Sequence, residues 1–171
     1  MKEVPLSVAG KMEKESLIKL FLSFLHSKGI VVIEKEFEEL SFLPGLKIEN
    51  GILIIDRQKL LYPGDILHEA GHIAVTPGAE RSALNDNVTT NRSGSDGEEM
   101  AAMLWSYAAC LHLMIDPRIV FHEDGYKGQS DWILDNYRNK TFIGLPLLKW
   151  MGMTSENNSG GFPQMIKWIR D

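Results

Sequence analysis

The chain has 171 residues and 44% of them are hydrophobic, which suits one domain with a single core and excludes two domains of ordinary size. Its 18 basic and 23 acidic side chains give a formal net charge of −5, so it lacks the basic surface that attracts proteins to phosphate backbones. We therefore expect a single domain over residues 1–171 with no direct nucleic-acid partner.

Cysteine content and hydropathy indicate the compartment. The single cysteine, Cys110, cannot form an internal disulfide, and the apolar run around it predicts a small buried hydrophobe. Residues 1–5 lack the basic region, apolar stretch and cleavage site of a secretory signal. No segment approaches the roughly 20 unbroken apolar residues that a membrane span needs. We expect a cytoplasmic protein with no membrane partner, and the sequence leaves its oligomeric state open.

The first third of the chain predicts one helix followed by a small sheet. Apolar residues recur at three and four over residues 11–28, and Gly29 follows where a left-handed helix cap is needed. The β-branched run 30–33 predicts a strand. Residues 46–49 and 52–55 predict two more strands, joined by an Asn-Gly turn that tolerates positive φ angles. The sheet is expected to be antiparallel or mixed.

Two helices are predicted in the middle of the chain. A short helix fits between Pro63 and the breaker at residues 76–78. A longer helix over residues 98–115 is apolar nearly all round, so it is expected to be buried. Between the two helices, residues 77–97 are polar and lack apolar periodicity, which indicates a functional or mobile loop or plain surface disorder.

Beyond the second helix the pattern is weaker. A short strand is predicted at residues 119–121 and a helix at 130–138, followed by a tail punctuated by Gly and Pro that ends in residues 163–170. The predicted fold class is therefore α+β, with a short β-sheet and a buried helix that begins with two glutamates.

The short helix contains the sequence His68-Glu69-Ala70-Gly71-His72. Two residues four apart on a helix are separated by about 40° and one turn, so both imidazoles point toward one spot and one metal ion can bind both. Glu69 is rotated by about 100° from His68, which suits a general base better than a direct ligand. The competing interpretation is that the two histidines only pack or face solvent.

A catalytic zinc needs a third protein ligand. Glu98 and Glu99 begin the buried helix, where a carboxylate is unfavourable unless a cation meets it. We favour Glu99 because smaller side chains share its helix face and permit a close helix approach; the other glutamate would then interact with the helix dipole. The full set of candidates is Glu98, Glu99, His112, His122, Glu123 and Asp124.

Residues 63–110 resemble the gluzincin branch of the zincin metallopeptidases, which carry an HExxH helix and a glutamate on a later helix. The short spacing is similar to that of IrrE/ImmA-type peptidases. The resemblance implies a small zincin-like fold that binds Zn²⁺ through His68, His72 and Glu99. It also implies that Glu69 activates the water that attacks a peptide carbonyl, so the partner would be a protein or peptide substrate.

Three questions stay open in the sequence. The same fold could serve without turnover, as a metal-stabilised binding or regulatory module. An oxyanion donor could come from Tyr107, His112, His122 or Tyr126, each of which also has an ordinary structural interpretation. The polar segment 121–128 either lines the cleft, binds a second cation or is a solvated loop.

Overall fold

The structure is a computed structural model that describes residues 12–85, 95–155 and 160–171. These residues form six helices and a three-stranded sheet, so the fold is α+β, as predicted. Short 3₁₀ turns cover Pro117–Ile119 and Tyr126–Gly128. In chain order the elements are α1 (Lys14–Ser27), β1 (Val32–Glu34), β2 (Leu46–Glu49), β3 (Ile52–Ile55), α2 (Asp65–Val75), α3 (Gly78–Arg81), α4 (Ser95–His112), α5 (Ser130–Arg138) and α6 (Leu145–Trp150).

The sheet is mixed, with β3 in the middle. β1 is parallel to β3 and pairs Val32 with Leu53, whereas β2 is antiparallel to β3 and pairs Ile48 with the same residue. The turn between β2 and β3 places Asn50 at φ 52° and Gly51 at φ 74°, the left-handed region that an Asn-Gly turn tolerates. The predicted hairpin is therefore confirmed.

Helix α1 packs its apolar stripe into the core, as its periodicity predicts, and Gly29 adopts the expected positive φ of 80°. The strand after it starts later than predicted, at Val32 rather than Ile30. The backbone N–H of Ile30 donates to the carbonyl of Leu25 at 3.0 Å, so it closes the helix end and is not available to the sheet. The stripe consists of Leu17, Ile18, Phe21, Phe24 and Leu25.

Helices α2 and α4 cross at close range in the middle of the core. A Cβ atom at Gly71 would lie 2.8 Å from the carbonyl oxygen of Ala102 and 3.3 Å from the Trp105 ring. The missing side chain therefore allows the two backbones to approach closely. The close crossing holds the two helices in a fixed relation.

The C-terminal segment covers the end of α2. The N–H of Arg170 donates to the carbonyl of Ala74 at 2.9 Å, and its guanidinium donates to the carbonyl of Val75 at 3.1 Å. Trp105 donates its ring N–H to the carbonyl of Trp168 at 3.0 Å. The carbonyls at the end of a helix lack partners within it, so the two hydrogen bonds from Arg170 stabilise α2 where it ends. The bond from Trp105 joins the same segment to α4.

Other sequence predictions need correction. The strand predicted at 119–121 is wrong, because the 3₁₀ turn occupies this region and Asp116 caps it by accepting from the N–H of Arg118 at 2.9 Å. Helix α4 begins at Ser95 and ends at His112, so it starts earlier and stops sooner than the predicted range 98–115. Part of the polar stretch 77–97 forms α3, and residues 86–94 lie outside the described part of the chain.

The predicted helix over 130–138 is confirmed as α5, whereas α6 was not predicted. Cys110 is fully buried, as expected. Over the part of the chain that the structure describes, every helix is too short or too polar to span a bilayer.

Candidate metal centre

Helix α2 presents His68 and His72 on one face. Their ring centroids are 5.0 Å apart and the ring planes are nearly perpendicular, at 83°. The His72 side chain is 6% exposed and the His68 side chain 15% exposed. The one-turn spacing of the motif therefore brings both imidazoles to the same place, where neighbouring elements largely bury them.

Glu99, on α4, closes the group from the opposite side. Its Oε2 lies 2.7 Å from Nε2 of His72, and its Oε1 lies 3.7 Å from Nε2 of His68. Donor atoms of the three residues all lie within 4.8 Å of one another. Ligand atoms at 2.0–2.1 Å from a tetrahedral zinc are about 3.4 Å apart, so the two measured contacts bracket the separation that an ion requires.

Glu98 points elsewhere. Its Oε1 lies 4.0 Å from a guanidinium nitrogen of Arg170, in the C-terminal segment. Of the two glutamates at the start of α4, Glu99 is therefore the one that faces the histidines. The helical step of about 100° between neighbouring residues separates them to different sides of α4.

Glu69 stands at the edge of the cluster. Its Oε1 is 3.8 Å from Nε2 of His68, too far for a hydrogen bond, and its side chain is 13% exposed. It belongs to the same helix as the histidines but lies outside the group of converging donors. A carboxylate in this position can reach a water molecule held between the two imidazoles and Glu99.

The pKa of His68 is lowered and that of His72 is raised, because burial dominates for the first ring and the nearby carboxylates dominate for the second. Burial and the neighbouring His72 lower the pKa of His68 to about 4, so His68 is neutral at neutral pH. Burial alone would lower the pKa of His72, but the hydrogen bond to Glu99 and the charges of Glu69 and Glu99 outweigh it and raise that pKa. Burial likewise opposes ionisation of Glu99, yet the contact with His72 holds its pKa below the usual value.

Two hydrogen-bonded pairs surround the cluster. The hydroxyl of Tyr126 lies 2.8 Å from Nδ1 of His68. Nε2 of His122 lies 2.9 Å from Oδ1 of Asp65, the first residue of α2, and burial raises the pKa of that carboxyl. The His122 ring also stacks on Tyr62, with centroids 3.8 Å apart. A layer of partly buried polar and aromatic groups thus lies around His68, His72 and Glu99.

The other predicted candidates lie away from the cluster. His112 packs against Phe24 and Trp168, and Tyr107 packs against Tyr137. Asp124 bonds to the hydroxyl of Tyr62. Glu123 lines a polar cavity of about 410 Å³ on the other side of His122. Among the described residues, the segment 121–128 forms no second group of metal donors.

Sequence reasoning missed the pairing of Asp65 with His122 and the contact of Tyr126 with His68. One signal was present: Asp65 precedes His68 by three positions, so both belong to one face of α2. The position of segment 121–128 beside that face depends on tertiary packing, and no spacing in the sequence reveals it.

Comparisons with protein-family models, with curated proteins and with solved structures found no match to this chain. Function is therefore inferred from the residues of the site.

Proposed function

We propose that this protein is a zinc-dependent hydrolase, a metallopeptidase on a small zincin-like fold, in which His68, His72 and Glu99 hold the ion. The observation that carries the proposal is the convergence of two Nε2 atoms from α2 with the carboxylate of Glu99 from α4. Placing a partly buried carboxylate beside two largely buried imidazoles is unfavourable unless a cation or a shared proton compensates, and a divalent ion meets all three donors at once.

The donor set fits zinc. Two imidazoles and one carboxylate are a known catalytic zinc set, which leaves the fourth position for water or substrate. Within the described ranges, no further His, Cys, Asp or Glu converges with the three donors and closes that position. Harder ions such as Mg²⁺ and Ca²⁺ prefer sites built from oxygen alone, so the two nitrogens disfavour them.

The residues around the ion have distinct roles. When bound, zinc lowers the pKa of a water molecule to about 7 and polarises a carbonyl oxygen. Glu69 accepts a proton as the water oxygen bonds to the peptide carbon, and it returns that proton to the nitrogen as the C–N bond breaks. Its place at the edge of the donor group, 3.8 Å from Nε2 of His68, supports this role.

The test measures zinc content and peptide cleavage together. The wild-type chain, loaded with one equivalent of Zn²⁺, is assayed on a mixed peptide library beside Glu69→Gln. Glu38→Gln makes the same change on the exposed chain between β1 and β2 and serves as the matched control. We expect Glu69→Gln to keep its zinc and to lose cleavage by roughly 10²–10⁴-fold, the usual contribution of a positioned base.

Each other outcome has a definite meaning. Undiminished cleavage by Glu69→Gln would show that Glu69 is not the base. Stoichiometric zinc binding by a wild-type chain that cleaves no peptide would support the alternative, a metal-stabilised binding or regulatory module. A protein or peptide substrate and a cytoplasmic location remain part of this proposal.

A further inference from the structure

We infer that Tyr126 is a positioning residue for the metal centre: its phenol oxygen accepts the Nδ1 proton of His68 and thereby directs the Nε2 lone pair toward the ion. This inference rests on the proposed metal centre. It assigns to Tyr126 a role in metal affinity that is separate from any contact with substrate.

The tautomer of His68 follows from which atoms face which partners. Nε2 faces the carboxylates, at 3.7 Å from Oε1 of Glu99 and 3.8 Å from Oε1 of Glu69. Nδ1 faces the hydroxyl of Tyr126 at 2.8 Å. A neutral imidazole that offers a lone pair at Nε2 carries its proton on Nδ1, so the phenol oxygen must act as the acceptor.

The Tyr126 ring is held on two sides. One face stacks on Phe121, with centroids 5.0 Å apart and an angle of 24° between the planes. The ring meets His68 edge to face, with centroids 5.3 Å apart. Phe121 is itself buried in the core. The phenol oxygen therefore has little freedom to leave Nδ1, which is what an outer partner of a metal ligand requires.

The backbone at Tyr126 is in an uncommon conformation. Tyr126 and Lys127 both have a φ of 54°, in the left-handed region that glycine normally occupies. Such residues persist where the surrounding structure determines them, and they are frequent at functional sites. Here Ser130, the first residue of α5, holds the loop by donating its hydroxyl to the carbonyl of His122 at 2.6 Å.

The same geometry separates this role from that of an oxyanion donor. The Tyr126 hydroxyl lies on the Nδ1 side of His68, whereas the carboxylates and the proposed ion lie on the Nε2 side. The phenol thus acts on the ligand. Its loss is expected to weaken metal binding even when no substrate is present.

The experiment measures zinc affinity by competition with a chromophoric chelator, on the whole chain without substrate. Tyr126→Phe removes only the hydroxyl and keeps the ring contacts. We expect its zinc affinity to fall about 10–100-fold, the usual effect of losing an outer-shell partner. Tyr137→Phe is the matched control, because Tyr137 also packs on Phe121, edge to face at 5.8 Å, and the described part of the chain shows no hydrogen bond from it to either histidine.

Nitrogen-15 NMR of zinc-loaded wild type tests the tautomer without any variant. The inference requires His68 to be protonated at Nδ1 and coordinated through Nε2, so coordination through Nδ1 would overturn it. Equal zinc affinity of wild type and Tyr126→Phe would also overturn it, as would an equal loss in Tyr137→Phe. If wild type itself takes up no zinc, the proposed metal centre fails, which is a different result from the failure of Tyr126 alone.

Discussion

Nε2 of His72 and Oε2 of Glu99 lie 2.7 Å apart although their residues belong to different helices. The contact couples α2 to α4 at the point where the missing side chain of Gly71 lets the two helices approach. In the metal-free protein these two atoms share a hydrogen bond, which raises the pKa of His72 and lowers that of Glu99. Binding of a divalent ion would displace the shared proton, so metal uptake is expected to release protons.

The two glutamates of α4 offer a matched pair of variants. Glu99→Gln removes the carboxylate that faces both histidines, so we expect zinc affinity to fall by about 100-fold or more. Glu98→Gln changes the carboxylate near Arg170, which acts on His72 through its charge and not through a direct contact with the ring, and is expected to keep zinc affinity within about 3-fold of wild type. Calorimetric titration with Zn²⁺ measures both. A larger loss in Glu98→Gln than in Glu99→Gln would reverse the assignment of the third ligand.

The buried His68 predicts acid sensitivity of the metal-free protein. Its folded pKa is about 4, below the reference value of 6.5, so the unfolded chain binds a proton that the folded chain does not between these values. The free energy of unfolding should therefore fall as the pH drops from 6.5 to 4, by up to about 3 kcal/mol from this residue.

Two neighbours act mainly outside that range. His72 has a raised folded pKa, so its stabilisation is complete below pH 6.5 and disappears only as the pH rises through the raised value. Glu99 has a folded pKa below 4.5, so its stabilisation is complete above pH 4.5 and is lost as the pH falls from there toward the lowered value, at the acid end of the range. Urea unfolding of metal-free wild type and His68→Phe from pH 6.5 to 4 isolates His68. Equal pH dependence of the two proteins would contradict the prediction.

Replacement of Gly71, at the crossing of α2 and α4, is predicted to destabilise the protein. Gly71→Ala improves helix propensity by about 1 kcal/mol, but its Cβ would lie 2.8 Å from the carbonyl oxygen of Ala102. Backbone cannot yield as a flexible side chain can, so we expect a net loss of about 1–3 kcal/mol in the free energy of unfolding. Zinc affinity should fall as well, because α4 carries Glu99.

Gly97 supplies the control for that substitution. It lies in α4, and a Cβ there would meet a methyl group of Leu147 at 3.2 Å, which can move. Gly97→Ala is therefore expected to change the free energy of unfolding by less than about 1 kcal/mol in either direction. Chemical denaturation compares the two alanine variants, and a Gly71→Ala protein as stable as wild type would refute the steric argument.

The elements that the sequence predicted well are those whose cause is local. The hairpin follows from an Asn-Gly turn between two short strands, of which β2 alternates and β3 is continuously apolar, and α5 follows from a compact periodic segment. The strand predicted at 119–121 failed because Asp116 and Pro117 initiate a 3₁₀ turn there, which β-branched composition alone did not reveal. Tertiary contacts also decided where β1 begins, since Ile30 is used to close α1.

The features of the candidate site likewise fall into those with a local cause in the sequence and those that depend on tertiary contacts. The helical period alone aligns His68 with His72, and comparison of helix faces selected Glu99 over Glu98 as the residue to meet them. Tyr126 is 58 residues away from its partner His68 in the sequence. Its approach depends on a left-handed backbone and on the stacking of its ring on Phe121. No periodicity encodes a contact of this kind, so only the folded chain reveals it.

X-ray absorption at the zinc edge shows whether His68, His72 and Glu99 hold one zinc ion. We expect one ion per chain, with two imidazole nitrogens at about 2.0–2.1 Å and carboxylate or water oxygens at about 2.0–2.2 Å. The imidazole signal should halve in His72→Ala. A protein that takes up no zinc, or a zinc shell built from oxygen alone, would contradict the account.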